Sequence, residues 1–145
     1  MRYMIIVKAT DESETETTPA PDEALLVEMV NYHEQLSKAG VLLDGSGLKP
    51  SSQGWRIYYE GDKRTVVDGP FAETKELIAG YTLIQVKSRE EAMEWARRFP
   101  NPAGRGKAAI IEVRPLYEME DFPPSEAIER FNNMCESKQA KGEMK

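Results

Sequence analysis

The first eight residues are almost all apolar and show no helical spacing, the pattern of a central strand covered on both faces. Residues 9–21 break it with threonines, acids and two prolines, and read as a surface loop. From Asp22 the period becomes that of a helix of about 18 residues. Leu25, Met29, Tyr32 and Leu36 form its stripe, Leu26 and Val30 lie beside it, and Gly40 stops it. Residues 41–48 predict a strand that loosens at Gly45 and Gly47; residues 55–60 and 63–67 predict a hairpin turning at Gly61-Asp62. Residues 77–86 alternate with apolar side chains on both faces, Leu77, Ala79, Tyr81 and Leu83 on one and Ile78, Ile84 and Val86 on the other. Ser88-Arg89-Glu90-Glu91 has the form of a capping box, and the helix it opens buries Ala92, Trp95, Ala96 and Phe99 before Pro100 ends it. Residues 107–115 give a last strand. Pro123-Pro124-Ser125 then opens a third helix with Ile128, Phe131 and Cys135 as its stripe and a frayed tail from Lys138.

Without the hairpin and the last helix, this order is the βαββαβ plan of an α+β ferredoxin-like fold, with both helices on one face of an antiparallel sheet. Residues 1–116 make that domain and residues 117–145 a helical extension. Two strands are apolar on both faces, so the face away from the helices needs a cover. A second copy of the sheet supplies one and predicts a homodimer packed face to face; the C-terminal helix is the alternative cover.

Composition narrows the function. The chain has 145 residues and a net charge of -6, the wrong sign for affinity gained by neutralising phosphates, so no nucleic-acid partner is expected. The apolar N-terminal segment is too short for a signal peptide or a membrane span, which predicts a cytoplasmic protein without a membrane partner. Cys135 is the only cysteine and His33 the only histidine, so neither a disulfide within the chain nor a Cys/His zinc site is available, and no metal or cofactor is called for.

The densest chemistry lies in Asp68-Gly69-Pro70-Phe71-Ala72-Glu73-Thr74-Lys75-Glu76, where Gly69 and Pro70 favour one fixed shape. In a catalytic reading Asp68 or Glu73 is the acid-base group, Lys75 clamps an anionic substrate, and Gly69 and Phe71 line its site. In a structural reading Asp68 bonds backbone amides, Phe71 plugs the barrel end, and Lys75 neutralises Glu73 or Glu76. A second candidate is His33 with Asp44. The helix carries the histidine back from the Gly40 turn by about as much as the strand carries the aspartate, so the two sit level, and a carboxylate there would raise the basicity of the ring. Arg114 and Glu112 read as an ion pair on the sheet face, and Cys135 as a small core residue.

The loop from Asp68 to Glu76, Gly80-Tyr81, Glu91-Ala92-Met93-Glu94-Trp95-Ala96 and Ile111-Glu112-Val113-Arg114-Pro115 resemble the DGPF branch of the YCII-related proteins. So do Met1-Arg2-Tyr3-Met4 and Leu36-Ser37-Lys38-Ala39-Gly40-Val41-Leu42 with Gly45 and Gly47. The resemblance implies a dimeric α+β barrel in bacterial proteins that largely lack an established activity. It further implies an association with extracytoplasmic-function sigma factors in some relatives, kinship with muconolactone-isomerase-like barrels, and a His-Asp catalytic pair. The DGPF branch commonly has asparagine where this chain has His33. Two functions of different class follow: acid-base isomerase or hydrolase chemistry on a small polar or anionic molecule, or a non-catalytic ligand-binding or regulatory dimer.

Overall fold

In a computed structural model of the chain, which describes residues 1–15 and 23–143, the contacts divide into two units, Met1–Pro115 and the segment from Leu116 onward. The first unit contains β1 (Arg2–Lys8), α1 (Glu23–Lys38), β2 (Leu42–Gly47), the hairpin β3 (Trp55–Glu60) and β4 (Lys63–Asp68), β5 (Ile78–Gln85), α2 (Arg89–Arg97) and β6 (Ile111–Pro115). The four-stranded sheet runs β2-β5-β1-β6, antiparallel throughout, and β3-β4 forms a separate two-stranded ribbon. This is the α+β ferredoxin-like arrangement that the periodicity predicts.

The helix-side core follows from the strand alternation. Tyr3 and Ile5 of β1 and Ile84 of β5, with Val86 just beyond it, present one face to Tyr32 and Leu36 of α1 and Ala92 of α2. Trp95 and Phe99 are partly buried against that layer. The Tyr32 hydroxyl donates to the Trp95 carbonyl at 2.7 Å and so ties α1 to α2. Burial pushes that phenol up to about 12 from its usual 10, with Arg98 pulling the other way. The end of α1 is a Schellman closure. Gly40 adopts φ +74°, its N–H donates to the Ser37 carbonyl and the Val41 N–H to that of Leu36. Leu36 and Val41 are both buried, so the turn is sealed by the core.

The opposite face carries Met4 and Ile6 of β1 across from Leu83 and Tyr81 of β5, all half-buried, with Glu112 and Arg114 of β6 alongside. Several local details differ from the sequence pattern. A bulge at Ala79 sets Ile78 opposite Lys8, which takes Ile78 off the face of Ile84 and leaves it exposed. Leu26 and Val30 are exposed, since the stripe of α1 narrows to Tyr32 and Leu36 at its buried end. The start of α1 at Asp22 and residues 16–21 of the preceding loop lie outside the described residues. The last strand begins at Ile111 instead of Lys107, because Gly104 and Gly106 with positive φ hold the preceding residues in turns. The Ser88 hydroxyl caps α2 by accepting from the Glu91 N–H at 3.1 Å, but the Glu91 carboxylate accepts from Lys87 instead of Ser88, so the box closes one residue early. Glu112 and Arg114 are exposed and form no ion pair with each other among the described residues.

In the second unit, Glu118 and Asp121 cap a 3₁₀ turn at Met119–Asp121, the Tyr117 and Phe122 rings lie 5.2 Å apart, and α3 spans Glu126–Glu143. The helix therefore continues past Lys138, where the sequence predicts fraying. Phe131 and Cys135 are exposed, not core residues, since nothing else in this short unit is available to bury a stripe on α3. No helix among the described residues is long and apolar enough to cross a membrane.

Candidate functional site

His33 projects from α1 over the end of the sheet where β2 and β5 pair. The sequence puts three glycines on these two strands, and without side chains at Gly45, Gly47 and Gly80 the sheet surface is low enough there for a cleft of about 510 Å³ to open against α1. Leu25, Met29, Val30 and Phe99 form its apolar wall, and His33 and Thr82 lie at its base.

The hydrogen bonds of His33 fix its tautomer. Nδ1 lies 2.7 Å from the Met29 carbonyl one turn back, and a carbonyl can only accept, so Nδ1 carries a hydrogen. In the neutral ring the lone pair is then on Nε2, which receives the Thr82 hydroxyl at 2.8 Å. Thr82 is only 2% exposed and is the single polar residue fully buried among the described residues, so this bond also satisfies a group that burial would otherwise penalise. An incoming proton is taken up by the Thr82 oxygen as the hydroxyl passes its own hydrogen to Nε2, after which Nε2–H donates to that oxygen. The pair can accept a proton without moving a heavy atom. The Tyr32 and Phe99 rings meet the imidazole edge-on, with centroids at 5.5 and 6.3 Å, and hold it in place.

Asp44 does not join it. Gly45 stands opposite Thr82 on the helix side of the sheet, whereas Asp44 stands opposite Leu83 and so shares the other face. Its carboxylate accepts from the Tyr81 hydroxyl at 3.0 Å and from the Gly45 N–H at 2.8 Å. Level position was legible in the sequence, but a register shift between Leu42 and Asp44 turns Asp44 away from the helix side, which Leu42 still faces, and so puts the sheet between the two side chains.

The bend from Asp68 to Glu76 is held by its backbone. The Gly69 N–H donates to the Gly54 carbonyl at 3.0 Å and the Phe71 N–H to the Ser51 hydroxyl at 3.1 Å. The chain passes so close to Ser51 that a Cβ on Gly69 would lie 1.9 Å from its carbonyl oxygen. The Gly69-Pro70 peptide is cis. The Ser51 hydroxyl and N–H both donate to the Glu14 carboxylate, and the Arg56 guanidinium stacks 3.8 Å above the centroid of Phe71. The side chains of Asp68, Glu73 and Lys75 are exposed and have no hydrogen bond or ion pair among the described residues. The structure thus brings Gly69 and Phe71 together with Ser51, Glu14 and Arg56, and leaves the three charged candidates of the bend in solvent, away from His33.

Sequence reasoning passed over Thr82, Ser51, Glu14 and Arg56. Thr82 left a signal, a hydroxyl amid the apolar alternation of its strand. Glu14 and Ser51 left none, since one sits in a polar loop and the other follows a proline. No group of three or more His, Cys, Asp or Glu side chains converges among the described residues in a way that could hold a metal ion.

The family model of the YCII-related domain matches residues 1–120. A protein of Rhizobium meliloti (strain 1021), itself described as uncharacterized, is 33% identical over 107 residues, covering 73% of this chain and 85% of that protein. With the family model spanning the strands, both sheet-packed helices and the bend, and with this relative matching 73% of the sequence, the chain belongs to the YCII-related domain family.

Proposed function

We propose that the cleft between α1 and the β2-β5 edge binds a small, mostly apolar organic molecule, and that His33 exchanges a proton with it. The observation that carries this reading is the His33–Thr82 pair, a proton-accepting group at the base of an apolar cleft of about 510 Å³, within the size range of small-molecule sites. His33 is the one imidazole of the cleft, whose lining holds no carboxylate, ammonium or guanidinium, which favours a proton shift within one molecule over chemistry needing a separate acid and base. An isomerase-type reaction on a weakly polar substrate fits best. Asp68, Glu73 and Lys75 have no part in it.

The test is an NMR titration of the full chain with small phenols and aromatic lactones, following His33, Thr82 and Gly45. Saturable shifts at those residues, lost in His33→Gln, support the proposal. Shifts confined elsewhere, or unchanged binding by His33→Gln, reject it.

The second reading, a non-catalytic regulatory dimer, is favoured by the hairpin. One face of the β3-β4 ribbon exposes Trp55, Ile57, Tyr59 and Val66, and a lone two-stranded ribbon is marginal in water. A protein partner, such as the sigma factor implied by the resemblance to the DGPF branch, would engage that face, while a second copy would cover Met4, Ile6, Tyr81 and Leu83. Sedimentation equilibrium that shows a monomer at micromolar concentration would remove the dimer.

A further inference from the structure

A second cleft, of about 540 Å³, lies beside the bend and shares no lining residue with the one at His33. Its charged groups can be accounted for one by one. The Glu14 carboxylate is occupied by the N–H and hydroxyl of Ser51, and the Ser51 oxygen in turn accepts from the Phe71 N–H. The acid of the cleft is therefore already spent on holding Ser51 in place. Lys49 and Arg56 remain, both exposed and neither in an ion pair among the described residues. Two cations against one acid leave one positive charge.

Arg56 is also pre-positioned. Phe71 holds the Arg56 guanidinium carbon 3.8 Å from its ring centroid, and a guanidinium carried on a ring face in this way keeps its fork of N–H groups for an acceptor such as a carboxylate, which it receives through two parallel hydrogen bonds. Leu48, Pro50, Leu77 and Ile78 give the remainder of the wall an apolar surface. From this arrangement we infer that the cleft beside the bend binds a small organic carboxylate, a monoanion on a compact apolar body, with Arg56 and Lys49 holding the charge. A phosphate monoester matches less well, since its two negative charges outweigh the single net positive charge of the lining. The bend then has a task that does not involve its acids: Gly69 lets it dock on Ser51, and docking puts the Phe71 ring beneath Arg56.

The experiment is an NMR titration of the full chain with benzoate, with benzamide and inorganic phosphate as comparison ligands. Benzoate is expected to shift the Ser51, Gly54 and Phe71 amides saturably. Benzamide, the neutral isostere, and inorganic phosphate are expected to bind about tenfold more weakly or worse, and Arg56→Gln to weaken benzoate by a similar factor. Should Arg56→Gln unfold the ribbon, Lys49→Gln makes the same comparison from an exposed position. His33→Gln is expected to leave the benzoate titration unchanged, which separates this site from the other cleft. Equal binding of benzamide, tighter binding of phosphate than benzoate, or benzoate shifts centred on Thr82 would each overturn the inference.

Discussion

Replacing Gly69 by alanine tests whether the bend is held by close backbone approach. The added carbon would stand 1.9 Å from the carbonyl oxygen of Ser51 and 2.7 Å from its carbonyl carbon, contacts with backbone that no rotamer change relieves. The chain has two ways out. It can push the two backbones apart, a form of overpacking that costs about 1–3 kcal/mol. Alternatively, the bend can lift away, losing the Gly69–Gly54 and Phe71–Ser51 hydrogen bonds at about 0.5–1.5 kcal/mol each and the Arg56–Phe71 contact at about 0.5–1 kcal/mol. Both routes converge on about 2 kcal/mol, or a melting temperature lower by about 6–8 °C for a chain of this size. Gly47→Ala is the control, because a Cβ there meets nothing within 4 Å and the backbone is not left-handed, so it is expected to stay within about 0.5 kcal/mol of the parent. Urea denaturation and thermal melts of the two variants, read by circular dichroism, decide the matter. A Gly69→Ala protein as stable as Gly47→Ala would refute the docking of the bend on Ser51.

Ser88→Ala removes the hydroxyl that accepts from the Glu91 N–H and is expected to cost about 1 kcal/mol in urea denaturation. Tyr32 should ionise near pH 12 instead of 10 in an ultraviolet titration, because burial disfavours the phenolate. Since its folded value lies above the unfolded one, its contribution to stability is complete below pH 10 and is lost as pH rises from 10 towards 12, a loss absent in Tyr32→Phe when melts are compared across that range. Cys135, the only thiol, is exposed on α3 and should react stoichiometrically with a thiol reagent in the native protein; protection until denaturation would contradict its placement.

How much was legible in the sequence differs from residue to residue. The stop at Gly40, the cap at Ser88 and the hairpin turn at Gly61-Asp62 are local devices, each acting within a few residues, and the sequence places them correctly. The alternation in β1 and β5 likewise identifies which residues form the core under α1. Cys135 shows the limit of this reasoning, because a periodic stripe states only which residues share a face and not whether anything covers that face.

The sequence by itself determined the elements, their order and the ferredoxin-like sheet, because capping, turn formation and apolar periodicity are short-range and repeat along the chain. Tertiary structure alone decided the sites. His33 meets Thr82, 49 positions away, and not Asp44 because the pairing of β2 with β5 sets Gly45 and not Asp44 opposite Thr82, and Ser51 joins Glu14, 37 positions away, to Phe71, 20 positions away, through loops that carry no period. A one-residue change of register moves a side chain to the other face of a sheet, and register is settled by the packing of the whole domain.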